Sequence, residues 1–139
     1  MPEEETGIVF ARFILTDGDG TTLQDNIQWF QAEDNFTALE ALPEVDLDVS
    51  ASSETVDGEL VATLDVENPS DTLAFFVNLV LLEESEGKEV LPSYWSDNYF
   101  ILMPGDATTV TVAVDEAAAE DSPVISVEGF NITTKEIRL

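Results

Sequence analysis

The sequence predicts an all-β fold, a two-sheet antiparallel sandwich with an extra N-terminal β-hairpin. Three observations carry that prediction. Apolar and polar residues alternate with a period of two in several separate segments, turn signals separate those segments roughly every ten residues, and residues 73–82 are apolar on both alternating faces.

The elements can be justified in chain order. Residues 8–15 and 22–30 flank Asp17-Gly18-Asp19-Gly20, and Asp-Gly pairs supply the positive φ of a tight hairpin. With Phe10, Phe13, Ile14 and Trp29, such a hairpin is marginal alone and sticky, so it is expected to pack back on the chain or to pair with a second copy. Asp34 or Asn35 then caps a short helical turn in which Phe36, Leu39 and Leu42 share a side, and Pro43 stops it. Val45, Leu47, Val49 and Ala51 alternate with Asp46, Asp48 and Ser50, the pattern of a half-buried strand. Leu60, Ala62, Leu64 and Val66 repeat it after the Asp57-Gly58 turn, and Val110, Val112 and Val114 repeat it after Pro104-Gly105, a pair suited to a type II turn. Further turns fall at Asn68-Pro69-Ser70-Asp71 and Glu84-Ser85-Glu86-Gly87, and an acidic loop at residues 116–121 includes the helix-prone Ala117-Ala118-Ala119. Five to seven strands are expected in the sandwich.

Strand 73–82 differs from the rest. Strict alternation puts Phe75, Val77, Leu79 and Leu81 on one face and Phe76, Val80 and Leu82 on the other. A strand apolar on both faces is usually covered on both, and in a sandwich only one face meets the core. Either loops shield the second face, or Phe76, Val80 and Leu82 form an interdomain or dimer contact.

Composition narrows function mainly by exclusion. Thirty acidic residues stand against Arg12, Lys88, Lys135 and Arg138, for a net charge of −26. That field repels phosphates, so nucleic acid and anionic membrane surfaces are not expected partners. It suits two other situations: a surface adapted to concentrated salt, where the Debye length falls to about 3 Å at 1 M, or the attraction of a polycationic partner. The first reading predicts that stability falls below about 0.1 M salt. No apolar run approaches the roughly 20 residues of a membrane span, and Met1-Pro2-Glu3-Glu4-Glu5 is acidic where a secretion signal is basic. A soluble unit is expected, its location unread.

The chain has no cysteine and no histidine, which removes disulfides, the common zinc sites and the usual nucleophile–base pairs. Asp17-Gly18-Asp19-Gly20 invites a calcium-loop reading, but Thr22 stands where that motif needs glycine and Gln28 where it needs glutamate. No metal or cofactor is expected. Asn35-Phe36-Thr37 and Asn131-Ile132-Thr133 match the N-glycosylation triplet, a pattern too common to carry weight alone. Tyr94, Trp95, Asp97, Asn98 and Tyr99 are the candidate contact residues, because aromatic rings stack on sugar faces and Asp and Asn bond hydroxyl or amino groups. The structural reading is that Trp95 is core and that Asp97 and Asn98 satisfy turn backbone.

Several segments also carry a resemblance. Asn68-Pro69-Ser70, the Phe75-Phe76 strand, Leu91-Pro92, Tyr94-Trp95-Ser96-Asp97-Asn98-Tyr99 and Met103-Pro104-Gly105 come in that order. The order resembles the C-terminal immunoglobulin-like domain of family 2 glycoside hydrolases, of the exo-β-D-glucosaminidase and β-mannosidase type. Asn26-Ile27-Gln28-Trp29-Phe30 is similar to the family's N-x-Y-W-L strand, with Gln28 and Phe30 as departures. Phe36 to Pro43 is similar to its T-A-L-x-x-L-P linker, and Val127-Glu128-Gly129-Phe130-Asn131 to its V-x-G-W-N strand, with Phe130 in place of Trp.

The resemblance implies an immunoglobulin-like sandwich at 45–139, a linker at 31–44 and, at 1–30, the last hairpin of a preceding sandwich. It implies a parent enzyme that removes terminal β-linked glucosamine or mannose from oligosaccharides by a retaining, two-carboxylate mechanism, with the carboxylates in a barrel domain. No alternating strand–helix pattern of a barrel occurs here. The chain is therefore expected to have no catalytic residues and to serve as an accessory domain that packs on the parent's other domains and lines the pocket rim. Chitosan or mannoside oligosaccharides are its expected ligands, and the hairpin or strand 73–82 its expected route to a dimer. The competing reading is a free-standing glycan- or protein-binding module.

Overall fold

The computed structural model describes residues 8–31, 37–84, 86–119 and 122–139. They fall into two compact units, one drawn from the chain up to Leu42 and one from Pro43 to Leu139.

The first unit is built on strands β1 (Ile8–Thr16) and β2 (Thr22–Gln31), paired antiparallel from Ile8–Gln31 to Thr16–Thr22, with an irregularity at Leu15/Thr16. The tip is held by the Asp17 carboxylate, which accepts the amides of Asp19 and Thr21, both at 2.9 Å. That Asx-type arrangement is sufficient reason for the aspartate. Phe10 faces Trp29 on one side of the ribbon, and Val9 faces Phe30 on the other. Arg12 reaches diagonally to Asp25, its Nε 3.0 Å from Oδ1, and this guanidinium holds the Asp25 carboxyl below its ordinary value. Helix α1 (Thr37–Glu40) is one turn long. Asp34, Asn35 and Phe36, to which a cap and an apolar side were assigned, lie outside the described residues.

The second unit is a sandwich of two four-stranded sheets. Its strands are β3 (Asp48–Val56), β4 (Glu59–Glu67), β5 (Ala74–Leu82), β6 (Ser93–Trp95), β7 (Phe100–Leu102), β8 (Ala107–Asp115), β9 (Val124–Glu128) and β10 (Lys135–Arg138). One sheet runs β10-β9-β5-β7 and the other β3-β4-β8-β6, with antiparallel ladders throughout. Eight strands replace the five to seven expected because β6 and β7, three residues each, are too short to show a period. Asp57 (φ 51°) and Gly58 (φ 84°) form the β3–β4 turn with both central residues left-handed, as a two-residue hairpin requires. The amide of Asp106 donates to the Met103 carbonyl across Pro104-Gly105, with Gly105 at φ 77°. The alanine-rich segment forms a 3₁₀ turn, Glu116–Ala118, capped by the Asp115 carboxylate.

The core lies between the sheets. Val45, Leu47, Leu64, Val66, Val77, Leu79, Leu81, Val110, Val112, Val114, Ile125 and Val127 are all but sealed from solvent, and burying each such side chain is worth roughly 1.5–3 kcal/mol. Strand β5 corrects the expected face assignment. Ala74 pairs with Leu102 and Val77 with Phe100, so three steps on β5 match two on β7. This is a bulge. Phe76 sits in it at φ 51°, and the alternation slips by one residue. Ala74, Val77, Leu79 and Leu81 belong to the core cluster, whereas Phe75 is buried outside it, its ring 4.0 Å from that of Phe76 and edge-on to that of Phe130.

Candidate functional site

Each part of the segment from Leu91 to Tyr99 is placed by a distinct local cause. Leu91–Pro92 is a cis peptide. Strand β6 then pairs Tyr94 with Ala113 and Trp95 with Val112. Val112 points into the core, so Trp95 does too, and it packs half-buried against the core cluster. Tyr94 points the other way, 66% exposed on the outer face of the β3-β4-β8-β6 sheet. Ser96 extends the pairing, exchanging bonds with Thr111 through its amide and its Oγ.

Asp97 and Asn98 turn the chain across to the other sheet. The Asp97 carboxylate accepts the amide of Asn98 at 2.8 Å. The Asn98 side chain then behaves as a missing strand residue: its Nδ2 donates to the Leu79 carbonyl and its Oδ1 accepts the Leu79 amide, both at 2.8 Å. Tyr99, at φ 53° and 65% exposed, follows before β7 begins. Phe76, 36% exposed, and half-buried Val80 and Leu82 lie on the β5 side opposite the core, with Val80 paired to Ser126 and Leu82 to Val124.

The candidate residues therefore do not converge on one cleft. Tyr94 belongs to the outer face of one sheet, and Phe76, Val80 and Leu82 to the outer face of the other. An open concavity of about 690 Å³ is lined by Asp48, Ser50, Asp65, Glu67 and Thr109 among others, and none of the aromatic candidates borders it. A recess of about 180 Å³ involves Leu82, Val124, Glu136 and Arg138. Among the described residues no three carboxylates are grouped so as to hold a metal ion, and no helix is long and apolar enough to cross a membrane.

Three asparagines organise the fold. Asn98, expected from the sequence to satisfy backbone groups, is one; the roles of the other two were not anticipated. Asn68, fully buried, donates to the carbonyls of Thr72 (2.8 Å) and Leu102 (3.1 Å) and accepts the amide and hydroxyl of Ser70. Its own amide donates to the Asp106 carbonyl, and its carbonyl accepts from Gly105. Asn131 donates to the carbonyls of Leu73 (2.7 Å) and Pro43 (3.0 Å) and accepts the Phe75 amide (2.8 Å). With both amide hydrogens engaged and the residue buried, Asn131 cannot carry a glycan in the folded chain. The available signal for Asn68 was a polar residue at the end of an apolar strand beside Pro69. Gly129 belongs with them: a Cβ there would lie 2.3 Å from the Ile132 side chain and 2.9 Å from the Phe76 carbonyl.

The fold and these residues define an immunoglobulin-like sandwich in which asparagine side chains satisfy backbone groups. Residues 26–132 match the model of the exo-β-D-glucosaminidase Ig-fold domain, and the chain belongs to that family. The chain is similar to exo-β-D-glucosaminidases of Arthroderma benhamiae (27% identical, covering 97% of this chain and 17% of that protein) and Streptomyces avermitilis (27%, covering 99% and 18%). It is also similar to the crystal structure of the Amycolatopsis orientalis exo-chitosanase, with a TM-score of 0.82 and 26% identity over 94% of this chain and 18% of that one. The chain thus spans less than a fifth of each.

Proposed function

We propose that this chain is a non-catalytic accessory domain of a family 2 glycoside hydrolase that removes terminal β-linked glucosamine from chitosan-type oligosaccharides. The carrying observation is the family match over residues 26–132 in a chain that covers under a fifth of its glucosaminidase relatives. Glucosamine is preferred to mannose as the parent's substrate because that is the sugar in the relatives' names. Phe76, Val80 and Leu82 form the face that packs on the other domains of the parent, and Tyr94 and Tyr99 are the side chains available to the rim of its pocket. The acidic surface is of the halophilic type.

Two measurements test this reading. The isolated chain should not hydrolyse 4-nitrophenyl β-D-glucosaminide; turnover would overturn the non-catalytic assignment. In an amide-shift titration with glucosamine oligosaccharides, shifts clustered at residues 94–99 would support the rim contact, and a folded spectrum unmoved by sugar would remove it. The second reading, a free-standing glycan-binding module, draws on the exposure of Tyr94 and Tyr99. It requires sugar binding by the chain alone at affinities the parent does not improve.

A further inference from the structure

The negative charge is not spread evenly over the sandwich. All four basic side chains are engaged in ion pairs: Arg12 with Asp25, Lys88 with Glu86, Lys135 with Asp46 and Arg138 with Glu84. None belongs to β3, β4, β6 or β8, so the β3-β4-β8-β6 sheet carries no cation of its own. Lys135, which reaches the start of β3, is taken up by Asp46 and the Leu47 carbonyl.

Within this sheet the ladder register places like charges directly opposite one another at both ends of β4. Asp48 pairs with Glu67 across β3–β4, and Glu59 pairs with Asp115 across β4–β8. The flanking pairs, Val49 with Val66 and Leu60 with Val114, include core residues, so all four carboxylates project from the outer face. Each is exposed. Asp57 and Glu116 lie beside the second pair in the chain, and neither is basic. Directly opposed side chains in an antiparallel pair stand about 4.5–5.5 Å apart at Cβ, and like charges there destabilise the sheet. The unfolded chain relieves that repulsion, and salt screens it once the Debye length falls toward the pair separation.

We infer that ionic strength gates the stability of this sheet through the Asp48–Glu67 and Glu59–Asp115 pairs, so that salt dependence is concentrated at two ladder positions rather than shared among all carboxylates. Net charge alone would predict the same response wherever two charges are removed. The paired register predicts different responses.

The test is the melting temperature of the full chain from 0.05 to 2 M KCl, followed by circular dichroism. The wild type should gain stability with salt. The double variant Glu59→Gln/Glu67→Gln breaks both pairs and should melt roughly 3–6 °C higher than wild type at 0.05 M, with a visibly flatter salt curve. Asp71→Asn/Asp97→Asn removes the same charge from exposed loop positions outside the β3-β4-β8 ladders, and should keep the wild-type slope. Comparing the two doubles at equal salt cancels any general salting-out effect. Asp48→Asn/Asp115→Asn breaks the pairs from the opposite side, with the Asp115 cap acceptor kept, and should reproduce the flattening. Equal slopes for the pair-breaking and control doubles, or a wild-type melting temperature indifferent to salt, would overturn the inference.

Discussion

Asn131 makes the case at the scale of one residue. Its side chain ties its own segment to two others far away in sequence, because the carbonyls of Pro43 and Leu73 and the amide of Phe75 each find their partner in it. A buried backbone group left without a partner costs about 1–3 kcal/mol. Asn131→Ala is therefore expected to destabilise the sandwich by roughly 2–5 kcal/mol in urea denaturation; a loss under about 1 kcal/mol would mean that water replaces the amide. Asn131→Asp keeps the acceptor for Phe75 but loses both donors and buries a charge, so it should be no better than alanine. In the hairpin, Asp25 is held below its ordinary value of 3.8 chiefly by its hydrogen bond to Arg12. A carboxyl depressed on folding contributes stability above its unfolded value and loses it as pH falls through the folded one. The protection of the β1 and β2 amides, taken relative to their intrinsic exchange rates at each pH, should accordingly fall as pH drops below the ordinary value of 3.8, and Asp25→Asn should abolish that acid step.

Strand β5 shows what the element adds to the residue. A bulge spends one residue to re-aim the chain, and here it brings Ala74 and Val77 both into the core while leaving Phe76 left-handed and partly exposed. Aspartate tolerates that backbone region better than phenylalanine does. Phe76→Asp should therefore leave the chain folded, losing only the stacking on Phe75, worth about 0.5–1.5 kcal/mol, while weakening any contact this face makes with the parent or a second copy. Size-exclusion chromatography with light scattering would follow that contact, and an unfolded variant would assign Phe76 to the core. Gly129→Ala acts on the same place, because its Cβ would meet backbone at the Phe76 carbonyl. The bulge also marks where sequence reading stops. The alternations of β3, β4 and β8 and the turns at Asp57-Gly58 and Pro104-Gly105 were legible, because period and left-handed turn chemistry are local. A register slip inside an apolar strand has no local signal, and neither do three-residue strands whose pairing is completed by side chains such as that of Asn98.

At the scale of the whole molecule the two units differ in what holds them together. Residues 43–139 contain the core cluster and both sheets. They also contain the partners of all three organising asparagines. The hairpin has a ladder, a well-made turn and the Arg12–Asp25 ion pair. Yet Val9, Phe13, Ile14, Leu15, Leu23 and Phe30 stay largely exposed, and a two-stranded ribbon in water is marginal at best. The candidate site divides along the same line of reasoning. Its exposed aromatics were visible as residue types in the sequence, whereas their separation onto two outer faces came only from strand register. A chain beginning at Pro43 behind an initiator methionine should then fold cooperatively, with dispersed amide resonances and a urea midpoint close to that of the full chain. Without the exposed apolar ribbon it should also remain monomeric at higher concentration and salt, conditions in which screening of the −26 charge no longer keeps copies apart. A truncated chain that binds hydrophobic dyes and melts without cooperativity would show that the hairpin is a structural part of the sandwich rather than a separate unit.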